Sequence, residues 1–301
     1  MRLPIVHHPD YDADSVPDRH RFPMRKYSLV AELLRARGEA MTVPQHAPQR
    51  WLNLAHDPDY VTAVLTSSVD AKTARRIGFE MTPAIAARTC ASVGGTCLAA
   101  RLALDHGAAV TLAGGSHHAS YEGGAGFCVF NDVAVAARVM LEEGHVRQVA
   151  VIDCDVHHGD GTARIFAGDR RVFTASIHCE DNWPLEKPPS DLDVGLDKET
   201  EDEDYLEALT GFVSAVFERT APDIVFYNAG VDPHADDRLG RLCLSDDGLK
   251  TRDRIVAEAC ARRGVPIVGV LGGGYSSDAM AVAQRHVFMV DALHKVAAVS
   301  A

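Results

Sequence analysis

The sequence is short of several features that mark disulfide-stapled, membrane-spanning or nucleic-acid-binding proteins. Its seven cysteines (90, 97, 128, 154, 179, 243 and 260) form no CxxC pair and no even framework. In a chain of 301 residues this excludes a disulfide scaffold and predicts reduced, mostly buried thiols. No apolar run approaches the length needed to span a bilayer. The opening Met1-Arg-Leu-Pro-Ile-Val-His-His lacks the long apolar core of a signal peptide, so the expectation is a soluble, cytoplasmic protein without a membrane partner. Positive charge is also scarce: Lys and Arg number 30 against 42 Asp and Glu, a formal net charge of −12. That argues against a nucleic-acid partner, whose groove needs clustered cations. It would favour a cationic partner through long-range steering, although simple solubility is the commoner cause. Much of the charge lies in Asp197-Lys-Glu-Thr-Glu-Asp-Glu-Asp204. There is no internal repeat and no low-complexity linker, and residues 1–301 read as one domain.

What is present is alternation. Strand patterns cover Leu3–Val6, Ala108–Ala113, Val149–Asp153, Val172–Ile177, Ile224–Tyr227 and Pro266–Leu271. Helical patterns cover Lys26–Arg37, a stretch from Pro83 towards Asp105, Asp132–Glu143, a short piece near Thr162–Ala167, Tyr205–Arg219, Asp247–Arg263 and Asp278–Val296. Thr82-Pro83 gives an N-cap followed by proline at the first helical position, and Asn131 is a second candidate cap. The fold class is therefore α/β: an open, mainly parallel β-sheet flanked by helices on both faces.

Four of these strands lead into polar loops. They are Gly114-Gly-Ser-His117-His118, Asp153-Cys-Asp155-Val-His157-His158-Gly-Asp160-Gly161, Asn228-Ala-Gly-Val-Asp232 and Gly272-Gly-Gly-Tyr275. In a parallel sheet the carboxyl ends of strands share one edge, where ligands bind, so the four clusters can converge. The second cluster packs three carboxylates and two imidazoles into eight residues. A divalent cation would hold such a group together. Asp155 and His157, two apart on an extended segment, face the same way. With Asp232 they make a three-ligand set of the kind that leaves a catalytic zinc one open position. Cys154 points the other way by alternation and is no ligand. The pair His117-His118 suits acid/base work, because neighbouring side chains diverge and cannot both ligate easily; alone it would be a polar turn. Asp153 and Asp160 remain as carboxylates to orient the imidazoles. Tyr275 can donate to a developing oxyanion or merely pack its loop. The glycines before it permit close approach and could cradle phosphate, but the Lys-Ser/Thr ending of a P-loop is missing.

These segments, with Gly124-Ala-Gly-Phe-Cys-Val-Phe-Asn-Asp132 and Asp237-Arg-Leu-Gly240, resemble the arginase/deacetylase superfamily, and within it the zinc-dependent histone deacetylases. The matching segments run in the family's order over about half the chain. The resemblance implies zinc held by Asp155, His157 and Asp232. It makes His118 the general base and later acid, oriented by Asp160, with His117 paired to Asp153 and Tyr275 on the carbonyl oxygen. It places Gly126 and Phe127 along a channel for an acylated lysine-like side chain, and a structural K+ near Asp153 and Ser176. The implied partner is an acylated lysine peptide or small amine. Two departures stand out. The second aromatic wall of the channel is absent from its usual place, so either Trp183 serves or the channel is more open. The run of three glycines before Tyr275 is short. With Arg21-Phe-Pro-Met-Arg25, this looks most like class IV-like bacterial members. Other readings are an acylpolyamine amidohydrolase, a ureohydrolase needing a second metal, and a non-catalytic acyl-lysine reader.

Overall fold

A computed structural model describes residues 2–17 and 19–297. In chain order the elements are β1 (Ile5–Val6), a short 3-10 turn at Pro9–Tyr11, α1 (Lys26–Ala36), α2 (Gln49–Leu52), α3 (Pro58–Leu65), α4 (Ala71–Ile77), α5 (Pro83–His106), β2 (Ala108–Thr111), α6 (Asp132–Glu142), β3 (Val149–Asp153), α7 (Asp160–Phe166), β4 (Val172–Cys179), β5 (Leu192–Leu196), α8 (Asp202–Arg219), β6 (Ile224–Asn228), α9 (Asp246–Ala261), β7 (Ile267–Val270) and α10 (Ala279–Ala297). All strand pairs are parallel and form one sheet, ordered β1-β2-β7-β6-β3-β4-β5. A parallel sheet is covered by helices on its faces, so its strands read as continuous apolar runs. Every residue of β2, β3, β6 and β7 is buried accordingly.

Helix ends follow their local chemistry. The Thr82 hydroxyl accepts from the Ile85 N–H, and Pro83 opens α5, which closes on left-handed Gly107. Asn131 Oδ1 accepts from the Ala134 N–H at 2.9 Å and starts α6. This cap is fixed to the rest of the protein, because His56 Nε2 accepts from the Asn131 N–H at 2.9 Å. Elsewhere the sequence limits shift. The first strand is confined to Ile5–Val6, and α7 begins at Asp160, two residues before the expected start. Strand β5 was expected as loop. It is a half-exposed edge strand preceded by two prolines, so its pattern is short and diluted. The short helices α2 to α4 also lie outside the expected set, although Asp57 and Asp70 accept from the N–H groups of α3 and α4 as caps do.

Four strands are adjacent at the centre: β2, β7, β6 and β3. They are the strands that carry the four polar loops. Their carboxyl ends thus open side by side into one place.

Candidate active site

The loops after β3 and β6 bring Asp155, His157 and Asp232 together, all buried, with ligand-type atoms within 4.8 Å of one another. His157 Nδ1 stands 3.0 Å from Asp155 Oδ1 and 3.2 Å from Asp232 Oδ2. Backbone donors fix the carboxylates from behind: the Gly273 N–H donates to Asp155 Oδ2 at 2.7 Å, and the Val156 N–H to Asp232 Oδ1 at 3.0 Å. Gly273 has to be glycine, since a Cβ there would overlap Asp232 Oδ2 and stand 2.7 Å from Asp155 Oδ2.

The donor set fits a cation. Burial together with the nearby Asp155 carboxylate pushes Asp232 up to about 7. Burial works against charge on His157 as well, yet the bonds from Asp155 and Asp232 outweigh it and raise the imidazole to about 10. His157 Nδ1 thus lies within hydrogen-bond reach of both carboxylates. A divalent ion would displace its proton and bind both.

The loop after β2 brings the two histidines to the same spot. His117 Nδ1 pairs with Asp153 Oδ2 at 2.6 Å, and His118 Nδ1 with Asp160 Oδ1 at 2.7 Å. The expected divergence of neighbouring side chains is corrected here. The rings lie 4.0 Å apart, centre to centre, and their Nε2 atoms are 3.1 Å apart. Residues 117 and 118 occupy a tight turn rather than a strand, and carboxylates from two other places in the fold hold the rings. The two imidazoles also differ in charge. Burial disfavours the charged form of His117, but Asp153 and Asp155 overcome it and raise the group to about 9. Burial, then the neighbouring His117, lowers His118 to about 3. His118 is thus neutral, with Nδ1–H donated to Asp160 and Nε2 accepting from His117 Nε2 at 3.1 Å.

Tyr275 follows the glycine turn and lines the same cleft. Its ring lies 6.2 Å from that of His157 and 5.8 Å from that of Phe127. Its hydroxyl has no hydrogen-bond partner among the described residues. Burial, reinforced by Asp155 and Asp232, raises the phenol well above its usual value, so the hydroxyl keeps its proton. The main chain of Tyr275 is clamped: Asp237 Oδ2 accepts its N–H at 2.6 Å and Arg238 Nε donates to its carbonyl at 2.8 Å.

The cleft has a volume of about 630 Å³, and its walls include Gly126, Phe127 and Trp183. Phe127 is held in the left-handed region at φ 66°, with its N–H bonded to the Ile77 carbonyl at 2.7 Å. Trp183 packs 4.5 Å from the His118 ring, centre to centre. A side chain at Gly126 would stand 2.7 Å from Trp183 and 2.8 Å from His118. Trp183 and Phe127 thus both line the cleft. Cys154 is buried beside Tyr205 and Arg252, away from the cluster. Asp153 and Ser176 are register partners on β3 and β4, and both are buried.

Three residues were missed in the sequence. Lys26 is fully buried, and its Nζ donates to the Gly272 carbonyl at 2.8 Å, next to the glycine turn. Burial lowers its amine to about 8 against the pull of Asp232 and Asp155. Asn228 Nδ2 donates to Asp153 Oδ1 at 3.0 Å, steadying the carboxylate that holds His117. The guanidinium of Arg252, also fully buried, donates to the Gly230 carbonyl and holds the loop that carries Asp232. A lysine on the apolar side of a helical pattern was the one available signal, for Lys26.

An all-parallel α/β sheet with paired imidazoles, a buried carboxylate–imidazole cluster and a tyrosine at its carboxyl edge defines a class of hydrolytic sites. The histone deacetylase domain model matches residues 20–290, and the chain belongs to that family. It is 44% identical to an uncharacterized protein of Picosynechococcus over 95% of this chain and 96% of that one. It is 30% identical to the acetoin utilization protein AcuC of Bacillus subtilis, over 90% of this chain and 77% of the relative. To histone deacetylase 2 of Arabidopsis thaliana it is 27% identical, over 91% and 75%. Among solved structures, an HDAC homolog complexed with SAHA superposes with a TM-score of 0.81 at 23% identity, over 99% of this chain and 84% of that one. The fold is thus that of the arginase/deacetylase group.

Proposed function

We propose that the protein is a zinc-dependent amidohydrolase that removes an acyl group, acetyl foremost, from a lysine side chain or a lysine-like amine. The observation that carries this reading is the convergence of two Asp-backed imidazoles and a protonated tyrosine on the Asp155/His157/Asp232 cluster. In this reading Asp155, His157 and Asp232 hold zinc, which when bound polarises the amide carbonyl and acidifies the attacking water. His118 Nε2 takes the proton of that water as it attacks. Asp160 keeps the ring in the tautomer that can do so, and His117, charged and paired with Asp153, stabilises negative charge nearby. The Tyr275 hydroxyl donates to the carbonyl oxygen as charge develops on it. His118 then passes its proton to the leaving nitrogen, giving a carboxylate and a free amine. Phe127 and Trp183, with Gly126 leaving room between them, exclude water from an aliphatic stem. A structural K+ near Asp153 and Ser176 is part of the proposal.

The test is direct. Purified protein should contain about one zinc per chain, release free amine from acetyl-lysine peptides, and lose that activity to a chelator. Two bridged manganese ions with urea release would replace this reading by the ureohydrolase one.

A further inference from the structure

The mouth of the cleft carries the opposite charge to the protein as a whole. Four arginines line it: Arg75 and Arg76 from the end of α4, and Arg238 and Arg241 from the loop after β6. All four are exposed. Three are aimed by main-chain carbonyls. Arg76 Nε donates to Gly124 at 2.8 Å, Arg238 Nε to Tyr275 at 2.8 Å and Arg241 Nη1 to Asp181 at 3.3 Å. A carbonyl positions a guanidinium without cancelling its charge. None of the four forms an ion pair with a carboxylate among the described residues.

Among the described residues, no Asp or Glu lines this cleft. Asp155 and Asp232 are buried against His157 Nδ1, at 3.0 and 3.2 Å. Asp237 is turned inward, its carboxylate occupied by the N–H groups of Leu239, Gly240 and Tyr275. Asp181 is exposed next to Arg241 but is not part of the wall. On a chain of net charge −12, four cations without a carboxylate partner among the described residues line one opening, and they favour anions there over cations.

We infer that the substrate, within the deacylase reading above, is an acylated lysine flanked by acidic residues, and not a basic tail or an acylated polyamine. The acyl-lysine stem fills the channel between Phe127 and Trp183, while Asp or Glu side chains within a few residues meet the arginines at the rim. Exposed charge pairs are individually weak, so discrimination comes from their sum and from repulsion of the wrong partner.

The test uses acetyl-lysine peptides identical except for their flanks: Asp/Glu, Ala, or Lys/Arg. Catalytic efficiency at low salt should favour the acidic over the basic set by about tenfold or more, chiefly through KM. The ratio should shrink towards one in about 0.5 M salt, where exposed charges are screened. The Arg75→Gln/Arg241→Gln double variant should lose the preference while cleaving the Ala-flanked peptide as before. Anisotropy of fluorescent versions of the same peptides supplies a binding ratio independent of turnover. If no peptide is cleaved, the deacylase reading fails, and the binding ratio still decides the rim. Equal or reversed preference, tighter binding of an acetylated polyamine, or a preference that survives high salt or the double variant would overturn the inference.

Discussion

Replacing Gly273 by Ala tests the metal cluster without touching a ligand. The backbone there is not in the left-handed region, so alanine carries no conformational penalty, and the effect lies in the added methyl group. That methyl would overlap Asp232 Oδ2 and stand 2.7 Å from Asp155 Oδ2. Both carboxylates must retreat, or the Gly273 N–H must release Asp155, which it now holds at 2.7 Å. Loss of a residue that only orients a ligand costs roughly 10–100-fold in metal affinity. Displacing two ligands together should reach at least the upper end, about 100-fold or about 2.7 kcal/mol. Competition against a fluorescent zinc chelator reads this directly, beside thermal melts of the metal-free protein. Gly211→Ala in α8 is the control, because its methyl group meets nothing within 4 Å. It should leave zinc affinity unchanged and raise stability by up to about 1 kcal/mol. Wild-type zinc affinity in Gly273→Ala would refute the placement of the ion between Asp155 and Asp232.

Tyr275→Phe should lower kcat by roughly 10²–10³ with little change in KM or zinc content, whereas near-normal turnover would reduce the residue to packing. His118→Ala should lose more activity than His117→Ala, and equal retention in both would remove His118 as the base. Acid should destabilise the fold through His56, whose Nδ1–H donates to the Ser120 carbonyl at 2.8 Å while Nε2 accepts from Asn131, so only the neutral ring fits. Burial lowers it from 6.5 to about 4. The unfolded chain then binds the extra proton first, so stability is full above about pH 6.5 and is lost as pH falls towards 4, by about 3 kcal/mol. Urea melts of wild type and His56→Gln across that range check this, and an unchanged pH slope in the variant would exclude His56 as a source.

Most of the site was legible because its chemistry is local in sequence. Asp153 to Asp160 stand together after one strand, and the order of polar loops after strands already placed them on one edge of a parallel sheet. The structure adds that β2, β7, β6 and β3 are neighbours, which alternation alone does not determine. What escaped notice depends on tertiary pairing. Lys26 sits in a helical pattern far from the site in sequence, and only its bond to the Gly272 carbonyl brings it in. The histidine pair was misjudged because divergence of adjacent side chains holds for strands, whereas His117 and His118 occupy a turn braced by two carboxylates.

Charge shows the same distinction between a sum and an arrangement. A net charge of −12 suggests a cationic partner, yet the sum weights Asp197–Asp204 as heavily as the cleft. With a Debye length of roughly 8–10 Å at ordinary ionic strength, position decides which charges a ligand meets, and among the described residues this stretch touches the rim only through Glu199 and Thr200, which bond to the main chain of Arg241 and Cys243. The charged side chains that line the cleft among the described residues, apart from its imidazoles, are Arg75, Arg76, Arg238 and Arg241. The proposed chemistry draws on the carboxyl ends of the central strands, whereas the proposed choice of substrate draws on α4 and the loop after β6. One can therefore change without disturbing the other, which is why the rim and the metal cluster call for separate tests.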